Sequence, residues 1–263
     1  MIKFLDKKVQ QVNVLDERFY TDNTKDKEGN VIYYPSVTTV LDVYPKGFAF
    51  AEWLRNNGQD SKEIVKEAAR QGSVVHNSID DYIKGSELKW IDENGKENYT
   101  LLEWKMLCRF VEFFKFVDKT KPFEAEQTML SHHHRLGGTT DLVCDIDGET
   151  WLIDYKSSNA IHTTNRLQLA VYKAMYEKLS GKKIDRYGVL WLKAQTRTNK
   201  GFMQGIGWQI KEFTKYYDRD IKLFKATRTI WDEENPNYKP KNLAFPNVLS
   251  LVGELETEIE TVK

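Results

Sequence analysis

Residues 137–158, GGTTDLVCDIDGETWLIDYKSS, constrain this chain more than any other stretch. Two runs with strand composition, TTDLVCDI (139–146) and TWLIDYK (150–156), flank Asp147-Gly148. That pair tolerates positive φ and is a strong hairpin signal. Side chains alternate along a strand, so Asp154 and Lys156 share a face while Tyr155 points away. Pairing Asp145 with Thr150, or close to it, brings Asp141 level with Asp154 across a strand spacing of about 4.8 Å. Two carboxylates that close repel unless a cation or a proton lies between them. Trp151, Leu152 and Ile153 give Asp154 the surroundings of a buried strand, where a charge needs a metal or a partner. Lys156 supplies one positive group.

The rest of the chain supplies a body for this hairpin. With 263 residues, 40% of them hydrophobic, it can bury a substantial core. Helical spacing is expected over 49–57 (AFAEWLRNN, stopped by Gly58), 60–84, 101–117 and 167–179 (stopped by Gly181). Gly72-Ser73 suggests a break in the second of these. YYPSVTTVL (33–41) reads as an extended stretch punctuated by Pro35, after a turn at Glu28-Gly29-Asn30. FEAEQTML (123–130) is a further strand. RYGVLWLKA (186–194) and FMQGIGWQI (202–210) read as a second hairpin, with a long helix over about 211–230 and an acidic tail behind it. No internal repeat or low-complexity linker divides the chain. The expectation is one α/β domain over 1–263, with an accessory segment at 1–60, a core at 123–211 and a helix and tail at 212–263.

Composition excludes several classes. No run approaches the roughly 18 apolar residues of a spanning helix, and MIKFLDKKVQ lacks the apolar stretch of a secretory signal. A cytoplasmic protein with no membrane association is expected. Two cysteines, Cys108 and Cys144, cannot form a disulfide framework or a four-cysteine site. The 39 basic and 39 acidic residues cancel, yet 151–225 holds 15 basic against 6 acidic ones. A basic segment on a neutral protein is the footprint of a localised anion-binding face, unless it is simply a solvated lysine-rich surface.

The carboxylate pair with its neighbouring lysine fits phosphodiester hydrolysis with Mg²⁺ (or Mn²⁺). Mg²⁺ is held by one or two carboxylates, with waters and phosphate oxygens completing its shell. It polarises the phosphate and acidifies a water nucleophile, while a lysine beside the ligands stabilises charge on the phosphate. An Asp–Lys pair on a surface hairpin is the plainer alternative. The arrangement resembles the PD-(D/E)XK nuclease superfamily, most closely its RecB-type exonuclease branch. Asp141 matches the first acidic position, with Thr140 where the name has proline, and Asp154-Tyr155-Lys156 matches (D/E)XK. Gln168 to Tyr172 matches a QxxxY helix and Gly72 to His76 a GxxxH element. The YYPSVTTVL and EQTMLS (126–131) stretches are similar to a subgroup with phage and mitochondrial genome maintenance exonucleases.

The resemblance, which runs from about 33 to 195, implies a restriction-endonuclease-like core: a mixed central β-sheet flanked by helices. It also implies that His76, Asp141, Asp154 and the Tyr155 carbonyl hold the metal, that Lys156 is the catalytic lysine, and that Gln168 supports the site or the DNA. Glu126 lies where the family often has a supporting glutamate. Ser157 and Ser158 are candidate phosphate donors, and Tyr172 is either a DNA contact or core. Four-cysteine iron–sulfur clusters occur in some relatives; with two cysteines none is expected here.

For DNA contact the basic candidates are Arg166, Lys173, Lys193, Arg197 and Lys200, around the QxxxY helix and the second hairpin. The expected activity is a metal-dependent deoxyribonuclease acting on DNA with free ends, in recombination, repair or replication, with a protein partner conceivable. Two alternatives use the same fold: a DNA-binding protein that does not cut, and a structure-specific endonuclease. A third is a zinc enzyme built on His132-His133-His134, though consecutive strand residues point to opposite faces.

Overall fold

A computed structural model describes residues 9–14, 17–193 and 207–240. Its centre is a five-stranded sheet of order β4-β5-β6-β7-β8. The strands are β4 (Glu124–Ser131), β5 (Leu136–Ile146), β6 (Glu149–Lys156), β7 (Arg186–Trp191) and β8 (Gln209–Glu212). All neighbours are antiparallel except β6 and β7, which are parallel and joined by the crossover helix α5 (Thr163–Ser180). The sheet is therefore mixed and carries helices on both faces, as expected.

Alternation along the strands sorts the core into two layers. Val143, Leu152 and Val189 pack with α5 and with α1 (Val37–Leu41) and α6 (Tyr217–Glu234). Leu142, Ile153, Tyr155 and Leu190 pack on the other face with α3 (Asp60–Ile83) and α4 (Leu101–Phe114). A small sheet of β1 (Gln10–Val14), β2 (Glu17–Thr21) and β3 (Tyr34–Pro35) joins the edge of this body. Its Tyr20 lies so close over Gly137 that a Cβ there would come 2.1 Å from the ring, which is why glycine stands at the second position of β5.

The hairpin register is the one read from the sequence: Asp145 pairs with Thr150 around the Asp147-Gly148 turn. Asp147 and Gly148 have φ of 54° and 84°, the left-handed conformation that this pair favours. Gly181 likewise closes α5 in the left-handed conformation.

Four expectations are corrected. VTTVL is helical, because Ser36 caps α1 by accepting the Thr39 N–H at 2.9 Å. Gly72-Ser73 does not break α3, which runs through 24 residues; the Ser73 hydroxyl bonds back to the Ala69 carbonyl at 3.0 Å, and Gly72 gives room to Ser157. α4 ends at Phe114 rather than 117. The strand expected to pair with 186–194 does so as β8 but runs on to Glu212, so the last helix starts at Tyr217 rather than about 211, after a short 3₁₀ turn (Thr214–Tyr216). That edge strand satisfies β7's outer backbone groups, which outweighs the local helical pattern.

Candidate active site

The C-terminal end of β6 positions the central group. Asp154 faces α5 and is 3% exposed. Its Oδ1 accepts from Gln168 Nε2 at 3.1 Å, and its Oδ2 lies 2.6 Å from Lys156 Nζ with no hydrogen bond of its own. On β5, Asp141 Oδ2 accepts the Tyr155 N–H at 2.7 Å, so the β6 backbone orients the carboxylate next to Asp154. His76 enters from α3: its Nδ1 is 3.6 Å from Asp141 Oδ1 and its Nε2 is 3.1 Å from the Tyr155 carbonyl oxygen. The structure thus brings together His76, Asp141, Asp154, Tyr155, Lys156 and Gln168 from four elements.

Proximity sets their charges. Burial pushes the Asp154 carboxyl above its ordinary value, Asp141 adds to this, and Lys156 only partly offsets it. Burial also pushes on Asp141, but His76, Lys156 and the Tyr155 N–H outweigh it and hold the carboxyl below the usual range. Burial disfavours the charged forms of Lys156 and His76, yet the two carboxylates overcome it and raise both pKa values. Lys156 is a protonated lysine at neutral pH.

The donors here are carboxylate and carbonyl oxygens and one imidazole, a set that suits a hard divalent cation. An octahedral ion with ligands at about 2.1 Å puts neighbouring donors about 3 Å apart, and the His76 Nε2 to Tyr155 carbonyl separation of 3.1 Å fits. Asp154 Oδ2, buried with only Lys156 beside it, is a further acceptor open to a cation. Among the described residues no three His, Cys, Asp or Glu side chains already converge at ligand distance, since Asp154 is turned toward Lys156 and Gln168.

A family model describing the PD-(D/E)XK nuclease superfamily matches residues 50–239. The chain belongs to that superfamily. The match begins after the YYPSVTTVL stretch and continues through α6, so it takes in every element of the central sheet. Members generally use divalent metals such as Mg²⁺ and act on DNA. A comparison with curated proteins returns no match. No helix of the described residues is long and apolar enough to cross a membrane.

Other sequence candidates of this nuclease fold fall nearby or elsewhere. Glu126 stands opposite Asp141, where the β4–β5 ladder skips a pair, with φ of 48°. Partial burial, and then the charge of Asp80, raise its pKa. Ser157 lies against α3, its Oγ 3.3 Å from where a Cβ on Gly72 would be. Ser158 staples its loop: Oγ donates to the Ala160 carbonyl and its own carbonyl accepts from Trp191 Nε1, both at 2.7 Å. Arg166 is engaged within the fold. Its Nε lies 2.9 Å from Asp220 Oδ2, a residue with no exposure, and its guanidinium covers the Tyr216 ring. Tyr172 is core, 3% exposed, with its ring closed over Gly138. Lys173 pairs with Glu177 on its own helix. Lys193 is half-buried, and burial, helped by Arg109, lowers its pKa. Arg197 and Lys200 lie outside the described residues.

The triple histidine forms the β4–β5 connection. His132 is held between the Tyr34 hydroxyl at 3.2 Å and Asp22 at 2.9 Å, while His133 and His134 pack edge to face. One site residue escaped the sequence reading. Asp80 sits one turn after His76 on α3, is 9% exposed, and its buried Oδ1 has no hydrogen bond although Oδ2 pairs with Lys84. With His76, Glu126, Asp141 and Tyr155 it lines a small cleft beside the carboxylates. The i, i+4 spacing from His76 was the available signal.

Proposed function

We propose that this nuclease is a DNA exonuclease of the RecB-type branch, dependent on Mg²⁺ or Mn²⁺ and active in recombination, repair or replication. The observation that carries the proposal is the meeting of Asp141, Asp154, Lys156 and Gln168 at the end of β6, with His76 and the Tyr155 carbonyl beside them. His76, Asp141, Asp154 and that carbonyl are the groups that would hold the metal. The chemistry such an ion would supply there is polarisation of the scissile phosphate and acidification of a water nucleophile. Lys156 stays protonated, orients the attacking water and faces the charge that builds on the phosphate oxygens. Gln168 fixes the Asp154 carboxylate and the Tyr155 N–H fixes Asp141, so neither has to reorganise during attack. Glu126 and Asp80 bias the adjoining cleft toward cations. As the water bonds to phosphorus it gives up a proton to solvent, the bond from phosphorus to the leaving sugar oxygen breaks and that oxygen takes a proton from solvent, with no covalent enzyme intermediate.

The test is degradation of end-labelled linear single- and double-stranded DNA beside a closed circle, with Mg²⁺, Mn²⁺ or EDTA. Linear DNA is lost only with metal, the circle survives, and Lys156→Ala is inactive. Cutting of the circle makes the protein an endonuclease. DNA that is bound but never cut with any metal overturns the catalytic reading.

A further inference from the structure

The helix α2 (Phe48–Asn57) contains no buried residue. Its aromatic side chains face outward instead: Phe48 is 75% and Phe50 36% exposed, with Leu54 beside them at 39%. The second turn of α3, where Ile64 and Val65 are exposed, continues this projecting pair of helices. An apolar helix face left in water marks an interaction surface. Two features say what it meets. Phe50 and Trp53 lie nearly parallel, with centroids 5.9 Å apart and 20° between their planes, and cations sit at these rings: Lys46 Nζ 5.4 Å from Phe50 and the Arg55 guanidinium 5.5 Å from Phe48. Second, Phe50 and Lys46 line a groove of about 490 Å³ whose other wall holds Lys156 and Gln168. Among the described residues Asp42 is the one acidic residue lining that groove.

Aromatic rings interleaved with basic groups bind single-stranded nucleic acid: bases stack on the rings and the cations take the phosphates. In duplex DNA the base faces are stacked on one another and cannot reach such rings. We propose that α2 is a stacking platform for unpaired bases, with the Lys46 side of the groove leading a single DNA strand from the platform to Lys156. This rests on the nuclease reading for its direction and goes beyond it by naming the strand state of the substrate. The apolar side chains of α2 then need no protein partner to account for their exposure.

The experiment measures equilibrium binding of a fluorescein-labelled thymidine 20-mer and an abasic 20-mer of equal charge, in EDTA so that nothing is cut. Wild type is compared with Phe50→Leu/Trp53→Leu, which keeps apolar bulk and removes the rings. Because α2 buries no residue, this variant folds, which circular dichroism checks. Stacking of one base is worth roughly 5-fold or more in affinity. Wild type prefers the thymidine strand by at least that factor, and the double variant loses the preference while its abasic binding is unchanged. Lys46→Ala weakens both strands equally and lowers the salt dependence. Equal binding of the two strands by wild type overturns the proposal, as does a preference that survives in the double variant, and α2 then becomes a protein-docking face. Base preference without DNA cleavage in Mg²⁺ sinks the nuclease reading and leaves the platform standing; cleavage without base preference does the reverse.

Discussion

Replacing Lys156 by alanine removes the cation in contact with Asp154 Oδ2, an oxygen that is buried and has no hydrogen bond among the described residues. Breaking a buried ion pair from one side costs about 3–5 kcal/mol on general grounds. Proton uptake sets a ceiling here, since a carboxyl of ordinary pKa takes a proton at pH 7 for about 4 kcal/mol. Burial has already raised the Asp154 pKa, which brings the ceiling down. The expected loss at pH 7 is therefore about 2–3 kcal/mol, a fall in Tm of roughly 4–12 °C for a domain of this size. The sign with pH follows from linkage. In the variant, Asp154 has a folded pKa further above its unfolded value, so the folded state holds the extra proton. Stability is then regained as pH falls through the folded pKa. The gap to wild type is widest near pH 8 and narrows toward pH 5. Urea unfolding of wild type, Lys156→Ala and Lys156→Ala/Asp154→Asn at both pH values measures it, and the asparagine restores most of the loss at pH 8. A gap that is equal at pH 5 and pH 8, or that asparagine leaves unchanged, refutes the reasoning.

The other predictions test separate parts of the molecule. Gly138→Ala puts a Cβ 2.4 Å from the Tyr172 ring and costs about 2–3 kcal/mol in urea unfolding. Gly72→Ala, inside α3 with only the movable Ser157 Oγ at 3.3 Å, is neutral or gains up to about 1 kcal/mol. Arg166→Ala strands Asp220, whose carboxyl is already held above its ordinary value by burial, so proton uptake limits the loss to about 2–3 kcal/mol, and the salt dependence of DNA binding is unchanged; a reduced salt slope restores Arg166 to the DNA surface. Burial opposes the charge on His76, but Asp141 raises its pKa overall, so protons compete with metal at higher pH than they would at a free imidazole. Mn²⁺ titrated by calorimetry binds more weakly at pH 6 than at pH 8, and His76→Gln binds more weakly at both with a flatter pH dependence. A wild-type affinity independent of pH between those values removes His76 from the ligand set.

Much of the central hairpin was legible in residues 137–158 alone. Alternation, the Asp147-Gly148 turn and the resulting register depend on backbone sterics over a few residues, and they place Asp141 level with Asp154 without any tertiary information. Gln168 and His76 were legible only through motif order, because α5 and α3 reach β6 from opposite sides of the sheet. Nothing local distinguishes Arg166, a buried partner of Asp220, from a basic residue that meets DNA. Local pattern gives 202–210 as the partner of 186–194, but not that the pairing beside β7 runs on through Lys211 and Glu212, where helical spacing begins. Residue order alone specifies the elements whose signals are short-ranged, together with the carboxylate pair at the centre of the candidate site. Tertiary structure decided the rest: which charges are buried against one another, that Asp80 joins His76 at the cleft, and that α2 leaves its aromatic rings in water. Those outcomes depend on desolvation and on packing between segments far apart in the chain, and a side chain's own neighbours in sequence carry no record of either.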